Sequence, residues 1–185
     1  MQEFFIYLRL GFEHLLDLNA PDHILYILML ALPYSISDWK KMFWLATAFT
    51  VGHSITLILA VYTNPHPHFT QWIEFLIAVS IAFTAALNML HLHSQKFLYP
   101  LTIIFGLIHG YGFSGLLKSL LEGLNFNVFT TLFPFNLGLE IAQILWITII
   151  LFLNYQLKIS KNVKIIVYLI TFSISLYWIF IRFPF

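Results

Sequence analysis

The sequence predicts an all-α polytopic membrane protein, a bundle of six transmembrane helices preceded by an N-terminal amphipathic or re-entrant helix. Composition is the first observation, because 60% of the 185 residues are hydrophobic and only 9% are charged. Soluble domains carry about 25% charged residues, so a water-soluble monomer and a disordered chain are both excluded. The second observation is a series of apolar stretches near the roughly 20 residues that a transmembrane helix needs.

The individual elements follow from the apolar stretches and the residues that interrupt them. Residues 4–18 have a helical pattern broken by charges and a histidine, which favours an interfacial or re-entrant helix, with a seventh span as the alternative. Pro21 suits the first turn of the next helix. One integral membrane domain then covers residues 1–185, with spans expected at about 22–36, 42–62, 70–91, 98–120, 128–156 and 163–182.

The lysines of the connecting loops predict the orientation. Alternate loops place six lysines on one side, namely Lys40, Lys41, Lys96, Lys158, Lys161 and Lys164, against Lys118 and Arg182 on the other. Cytoplasmic loops are enriched in lysine and arginine. We therefore expect the Lys158–Lys164 loop to be cytoplasmic, and the 64–68 loop and the C-terminus to face outward. The first twenty residues show no signal-peptide layout.

Histidine is the unusual residue of this chain, which has eight histidines and eight carboxylates in total. Ionisable groups within a bilayer are costly and mark functional sites. His53 falls in the middle of the second span and His109 in the middle of the fourth, where Gly106 and Gly110 predict close approach of another helix. A bond from His53 to a backbone carbonyl is the structural alternative.

Further candidate ligands come from two other regions. In the fifth span, Asn136 and Glu140 share a helical face, and a protonated Glu140 bonded to another helix is the structural alternative. Near the outer face, His14 precedes the adjacent Asp22 and His23, although Asp22 also suits the first turn of a helix. We expect His14 to face inward, toward His23. The predicted metal ligands are thus His14, Asp22, His23, His53, His109, Asn136 and Glu140.

A second group of polar residues suggests a pathway to and from these ligands. The 64–68 loop offers histidines for capture, and a polar stripe on the third span leads toward the cytoplasmic side. The residues assigned to this role are His66, His68, Glu74, Asn88, His91 and His93. Simple interfacial placement explains His91 and His93 equally well.

The donor set indicates the kind of metal. Imidazole combined with carboxylate and amide oxygen suits divalent nickel, cobalt, zinc or iron, and the absence of cysteine argues against a copper(I) carrier. A metal ion and the lipid bilayer are therefore the expected partners. The chain has no basic tail for nucleic acid.

Five ordered stretches resemble the HupE/UreJ family, which consists of small bacterial membrane proteins regarded as nickel or cobalt permeases. The stretches are GFEHLLDLNAPDHILYILMLAL, DWKKMFWLATAFTVGHSITLIL, WIEFLIAVSIAFTAALN, FGLIHGYGFSGLL and FNLGLEIAQ. The family's histidine and carboxylate motifs correspond here to His14, Asp22, His23, Gly52, His53, Ser54, His109, Gly110, Asn136, Leu137, Gly138 and Glu140. The resemblance implies a permease of the bacterial cytoplasmic (inner) membrane.

Two functions from different classes fit the pattern. The first is a secondary permease for a divalent transition metal. The second is an intramembrane metal-dependent hydrolase or transferase, in which the histidines bind the metal and Asp22 or Glu140 is the catalytic base. A metal sensor or assembly factor is a third reading. Ligands strung from one face of the membrane to the other would favour the permease, and a single tight cluster that opens to one leaflet would favour the enzyme.

Overall fold

The computed structural model describes residues 2–18, 21–63, 67–92, 95–120 and 127–185, and these ranges contain helices but no strand. The all-α prediction is therefore confirmed for the described part of the chain. The helices are α1 (Gln2–Leu16), α2 (Asp22–Ala31), α3 (Trp39–Tyr62), α4 (Pro67–Met89), α5 (Gln95–Leu120), α6 (Phe133–Gln156) and α7 (Lys161–Ile181). A 3-10 turn, Ile36–Asp38, leads into α3, and a π-helical turn, Val128–Leu132, leads into α6.

Four helical segments of the described chain are long and apolar enough to cross a membrane. They are Ile36–Ala60, His68–Met89, Val128–Gln156 and Lys161–Ile181. The ten-residue α2 and the Phe97–Phe113 part of α5 are apolar but shorter. A helix of ten residues is about 15 Å long, half the roughly 30 Å of a hydrocarbon core. The expectation of six full spans is therefore not confirmed, because four segments of the described ranges qualify.

The early end of α2 has a local cause and a tertiary compensation. Pro33 follows closely and has no backbone N–H to continue the helix. The carbonyls left open at the end of α2 are satisfied by amides from neighbouring helices. Asn88 Nδ2 of α4 donates to the Met29 carbonyl at 2.7 Å, and Asn154 Nδ2 of α6 donates to the Leu32 carbonyl at 3.4 Å and to the Tyr34 carbonyl just beyond α2 at 2.6 Å. Thus α2 is a half-helix whose C-terminal end is held by α4 and α6.

Glycines bring α3 and α5 into backbone contact. A Cβ atom on Gly106 would overlap the Phe49 carbonyl oxygen, and one on Gly110 would overlap the His53 carbonyl oxygen. Gly52 meets the Ile103 carbonyl oxygen in the same way from the α3 side. The close approach that the sequence predicted at Gly106 and Gly110 is confirmed. It places the middle of α3 directly against the middle of α5.

A similar contact fixes α1 on α6. A Cβ atom on Gly11 would overlap the Phe135 carbonyl oxygen, and one on Gly138 would overlap the Leu8 carbonyl oxygen. The two helices therefore touch along their backbones, and side chains at the C-terminal end of α1 are carried toward the bundle interior. One of these side chains is that of His14.

Candidate metal centre

Histidines from four helices meet inside the bundle. His14 of α1, His23 of α2 and His53 of α3 each offer a ring nitrogen, and these three atoms all lie within 4.8 Å of one another. The ring centroids of His14 and His23 are 4.7 Å apart, so His14 faces His23 as expected. His109 of α5 joins them, with its ring centroid 5.0 Å from that of His23. We call these four residues the histidine cluster.

The cluster is buried, and its nitrogens lack partners. His53 and His109 are both 0% exposed, and His23 is 6% exposed. Five ring nitrogens find no hydrogen-bond partner among the described residues: His14 Nε2, His23 Nε2, His53 Nδ1, His53 Nε2 and His109 Nδ1. Buried polar atoms are nearly always hydrogen-bonded, so this concentration of unpartnered nitrogens calls for a bound species. A divalent transition metal fits, because imidazole nitrogen is one of its preferred ligands.

Aromatic rings surround the cluster. The Phe113 ring centroid lies 3.9 Å from that of His14, and the Phe135 ring stacks on Phe113 at 5.0 Å. Phe49 and Tyr26 approach His109 at 5.3 and 5.4 Å. These rings fill the space between the helices with apolar surface. A metal ion held there would exchange its water shell for imidazole nitrogens.

A hydrogen bond orients the ring of His109. Its Nε2 lies 2.9 Å from the Ser80 hydroxyl oxygen, and that hydroxyl donates its single hydrogen to the Ile77 carbonyl at 2.7 Å. Because the Ser80 proton is engaged, we infer from this network that His109 Nε2 carries a hydrogen and donates it to Ser80 Oγ. The lone pair of neutral His109 then resides on Nδ1, the unpartnered nitrogen. Partners of this kind fix the tautomer of metal-binding histidines.

The atoms that lie within 4.8 Å of one another belong to His14, His23 and His53, and the predicted ligand Asp22 is not among them. Asp22, the residue before His23, accepts a hydrogen bond from Arg182 Nη1 at 3.1 Å, and the same nitrogen is 3.6 Å from Glu74 Oε2. Asp22 is therefore paired with an arginine in this structure. From the sequence, Arg182 was expected only as a loop charge. The pairing could have been suspected because an arginine, which suits forked pairing with carboxylates, stands directly after an apolar helix.

The α3–α6 interface holds a separate row of polar residues. Thr47 Oγ1 donates to Glu140 Oε1 at 2.5 Å, and Thr50 Oγ1 donates to Gln143 Oε1 at 2.9 Å. Thr47 and Thr50 precede His53 on one face of α3. Thr47 is six residues away, about 9 Å along the axis. Glu140 thus lies in a polar row that continues from the cluster, bonded to Thr47.

Two of the remaining candidate residues are asparagines inside the bundle, and they differ in their hydrogen bonding. The side-chain oxygen of Asn136, one turn before Glu140 on α6, is buried and has no hydrogen-bond partner among the described residues. Asn88 instead supports the end of α2 through its bond to Met29. Asn136 is therefore available as an oxygen ligand, whereas the amide nitrogen of Asn88 is engaged.

The other histidines lie at the ends of α4 or outside the described residues. His68 is exposed and its ring stacks on Trp72 with centroids 6.5 Å apart. His91 is exposed just after α4, with a left-handed backbone at φ 56°. His66 and His93, which the sequence analysis assigned to the pathway, lie outside the described residues.

Comparison with known proteins identifies the family. The family model described as HupE / UreJ protein matches residues 1–182. The chain belongs to the HupE/UreJ family. The resemblance found in the sequence motifs is thereby confirmed, and together with the apolar helices it indicates an integral membrane protein. Neither the curated proteins nor the solved structures gave a significant match.

In this HupE/UreJ protein, the motifs that carried the resemblance come together in space. The motif histidines of α1, α2, α3 and α5 form the histidine cluster. The motif glycines Gly52 and Gly110 create the backbone contact between α3 and α5, the helices that carry His53 and His109. The α6 motif places Glu140 on the neighbouring polar row.

Proposed function

We propose that this HupE/UreJ protein is a secondary permease for a divalent transition metal of the nickel or cobalt type, with zinc and iron as the other ions that the ligands suit. The observation that carries the proposal is the buried cluster of four histidines with unpartnered nitrogens. The family is associated with nickel and cobalt transport. The metal ion is the substrate, and His14, His23, His53 and His109 would bind it together with Asp22.

The ligand chemistry supports reversible binding. Neutral imidazoles hold a divalent ion without cancelling its charge, and Asp22 would offset part of that charge. The chain has no cysteine, so no thiolate ligand would trap the ion. Metal affinity should therefore decline as the pH is lowered, because protons compete for the same imidazole nitrogens.

The histidine cluster by itself is a tight group that an enzyme would also use, so the case for a pathway rests on the polar residues outside it, at the α3–α6 interface. Metal leaving the histidine cluster would next meet Asn136 and Glu140, a carbonyl oxygen and a carboxylate. Transporter sites are commonly built around interrupted helices within the membrane, and α2 is a half-helix that carries His23. The exposed His68 and His91, with His66 and His93, are proposed as residues of capture and exit.

We further propose the orientation that the lysines predict, in the bacterial cytoplasmic membrane. The Lys158–Lys164 loop would be cytoplasmic, and the 64–68 loop and the C-terminus would face outward. Cysteine introduced at Asn64 should react with an impermeant thiol reagent in whole cells, and cysteine at Lys161 should react only after lysis. Because the chain has no native cysteine, each label reports one position. The reverse labelling pattern would invert the orientation.

The transport proposal predicts both metal content and metal flux. Purified protein should contain nickel or cobalt by elemental analysis, and proteoliposomes should accumulate the same ion. Glu140→Gln keeps the side-chain shape but removes the charge from the polar row. We expect it to retain metal at the histidine cluster and to lower flux strongly, because the ion loses its carboxylate beyond the cluster.

The metalloenzyme alternative gives a different outcome. A hydrolase would hold its metal tightly without moving it, since three ligands and a bound water suffice for catalysis. Stoichiometric metal in protein that shows no flux in proteoliposomes would therefore contradict the permease.

The Thr148→Val variant provides a matched control for Glu140→Gln, because the exposed Thr148 hydroxyl of α6 bonds within its own helix, to the Ile144 carbonyl.

A further inference from the structure

Arg182 lies between two carboxylates at the end of the bundle where α2 begins and α7 ends. Its Nη1 is 3.1 Å from Asp22 Oδ1 and 3.6 Å from Glu74 Oε2. The first distance is a hydrogen bond, whereas the second is an ion pair slightly too long for one. The guanidinium also lies over the Trp178 ring at 4.8 Å, and the side chain is only 23% exposed. Arg182 is thus held in place with two alternative partners.

The pairing of Asp22 sets the charge at the start of α2, the helix that carries His23. Asp22 directly precedes His23, whose ring approaches those of His14 and His109. While Arg182 is paired with Asp22, the carboxylate is neutralised and the cluster offers neutral imidazoles only. A divalent ion would be attracted by the Asp22 carboxylate. That attraction becomes available to the ion when Arg182 turns away from Asp22.

We propose that Arg182 is a tethered competitor of the metal ion for Asp22. It holds the Asp22 carboxylate when no metal is bound, and its pairing passes to Glu74 when a divalent ion takes Asp22. The movement is small, because the distance from Nη1 to Glu74 Oε2 has only to shorten from 3.6 Å to about 2.9 Å. The inference rests on the proposed function, since it requires that the histidine cluster bind metal.

This exchange makes Arg182 a specificity-determining residue. A monovalent cation at Asp22 would replace one positive charge by another and gain little. A divalent transition metal gains a second charge and the imidazole nitrogens, which bind such ions well. Competition with the tethered guanidinium therefore prevents alkali cations from binding at Asp22.

The test is a calorimetric titration in which nickel chloride is added to the full chain in lipid nanodiscs. Arg182→Gln should raise nickel affinity about tenfold, because the ion no longer has to break a charge-assisted hydrogen bond to reach Asp22. In an Asp22→Asn background the same substitution should leave affinity unchanged, because there is no carboxylate to release. Simple repulsion between Arg182 and the ion would instead persist in that background, and this outcome would overturn the proposal.

Glu74→Gln provides the second arm. It removes the alternative partner of Arg182, so nickel affinity should fall by about threefold, as expected for a partly exposed pair. The effect should disappear when Arg182→Gln is also present. Equal effects of Glu74→Gln in both backgrounds would overturn the exchange between partners.

Controls separate this role from a structural one. Arg9→Gln removes an exposed arginine–carboxylate pair, Arg9–Glu13, and should leave nickel affinity unchanged. Arg182→Lys keeps the charge, so its affinity should stay near that of the wild type. A fall in affinity in both Arg182→Gln and Arg182→Lys would indicate a structural role and overturn the proposal. Absence of nickel binding by the wild type would overturn the proposed function itself, and the inference with it.

Discussion

Replacement of His53 by alanine is expected to abolish metal uptake and to remove bound metal from the purified protein. His53 is fully buried, and neither of its ring nitrogens has a hydrogen-bond partner among the described residues. The loss of a supporting residue outside the ligand set already weakens metal sites by about 10- to 100-fold. Loss of a ligand should therefore weaken nickel binding by at least about 100-fold. His109→Ala should have a similar effect, measured by elemental analysis and proteoliposome flux.

The matched control is His68→Ala, which removes an exposed histidine at the start of α4. A residue of capture raises the local concentration of the ion without forming the site, so this variant should lose much less flux. His53→Ala should elute from size exclusion as the wild type does, because neither ring nitrogen of His53 has a hydrogen-bond partner among the described residues. Full metal content and flux in both His53→Ala and His109→Ala would make the histidine cluster structural.

Gly110→Ala is expected to damage both stability and metal binding. The added Cβ would overlap the His53 carbonyl oxygen and Thr56 Oγ1. Backbone atoms cannot rotate aside, so α3 and α5 must separate, at a cost of about 1–3 kcal/mol for overpacking. The separation would also increase the distance between His53 and His109. We expect a lower melting temperature in detergent together with reduced nickel affinity.

Gly115→Ala is the matched control on the same helix. A Cβ at Gly115 meets no heavy atom of the described residues within 4 Å. Since alanine has the higher helix propensity, this variant should be neutral or more stable by up to about 1 kcal/mol. Equal melting temperatures for the two variants would show that α3 and α5 can adjust, contrary to the backbone contact described above.

The main features of the centre could be predicted because their signal is local. A histidine beside a glycine in the middle of an apolar span, as at His53 and His109, is costly unless it is used. His14 and His23 were candidates for another reason, the adjacent Asp22 and His23 near the outer face with His14 shortly before them. Helical periodicity puts Thr47 and Thr50 on the face of α3 that carries His53, but their partners on α6 cannot be read from the sequence.

What the sequence did not reveal depends on long-range pairing. The shortness of α2 follows from Pro33, but its stability as a half-helix requires Asn88 and Asn154. Neither asparagine shows by position or spacing that it completes a distant helix. The ion pair of Asp22 with Arg182 joins residues 160 positions apart, and no periodic pattern spans that separation.

The supports of α2 have a consequence for the order in which this protein is made. Asn154 lies 120 residues after Tyr34, which corresponds to roughly 6–24 s of translation at ordinary rates. During that interval the nascent α2 is too short to span a bilayer and lacks the Asn154 amide. We expect its C-terminal end to be fully supported only after α6 has been inserted, and Asp22 to gain its arginine only after α7. The helix that carries His23 is among the first to be synthesised and the last to be completed.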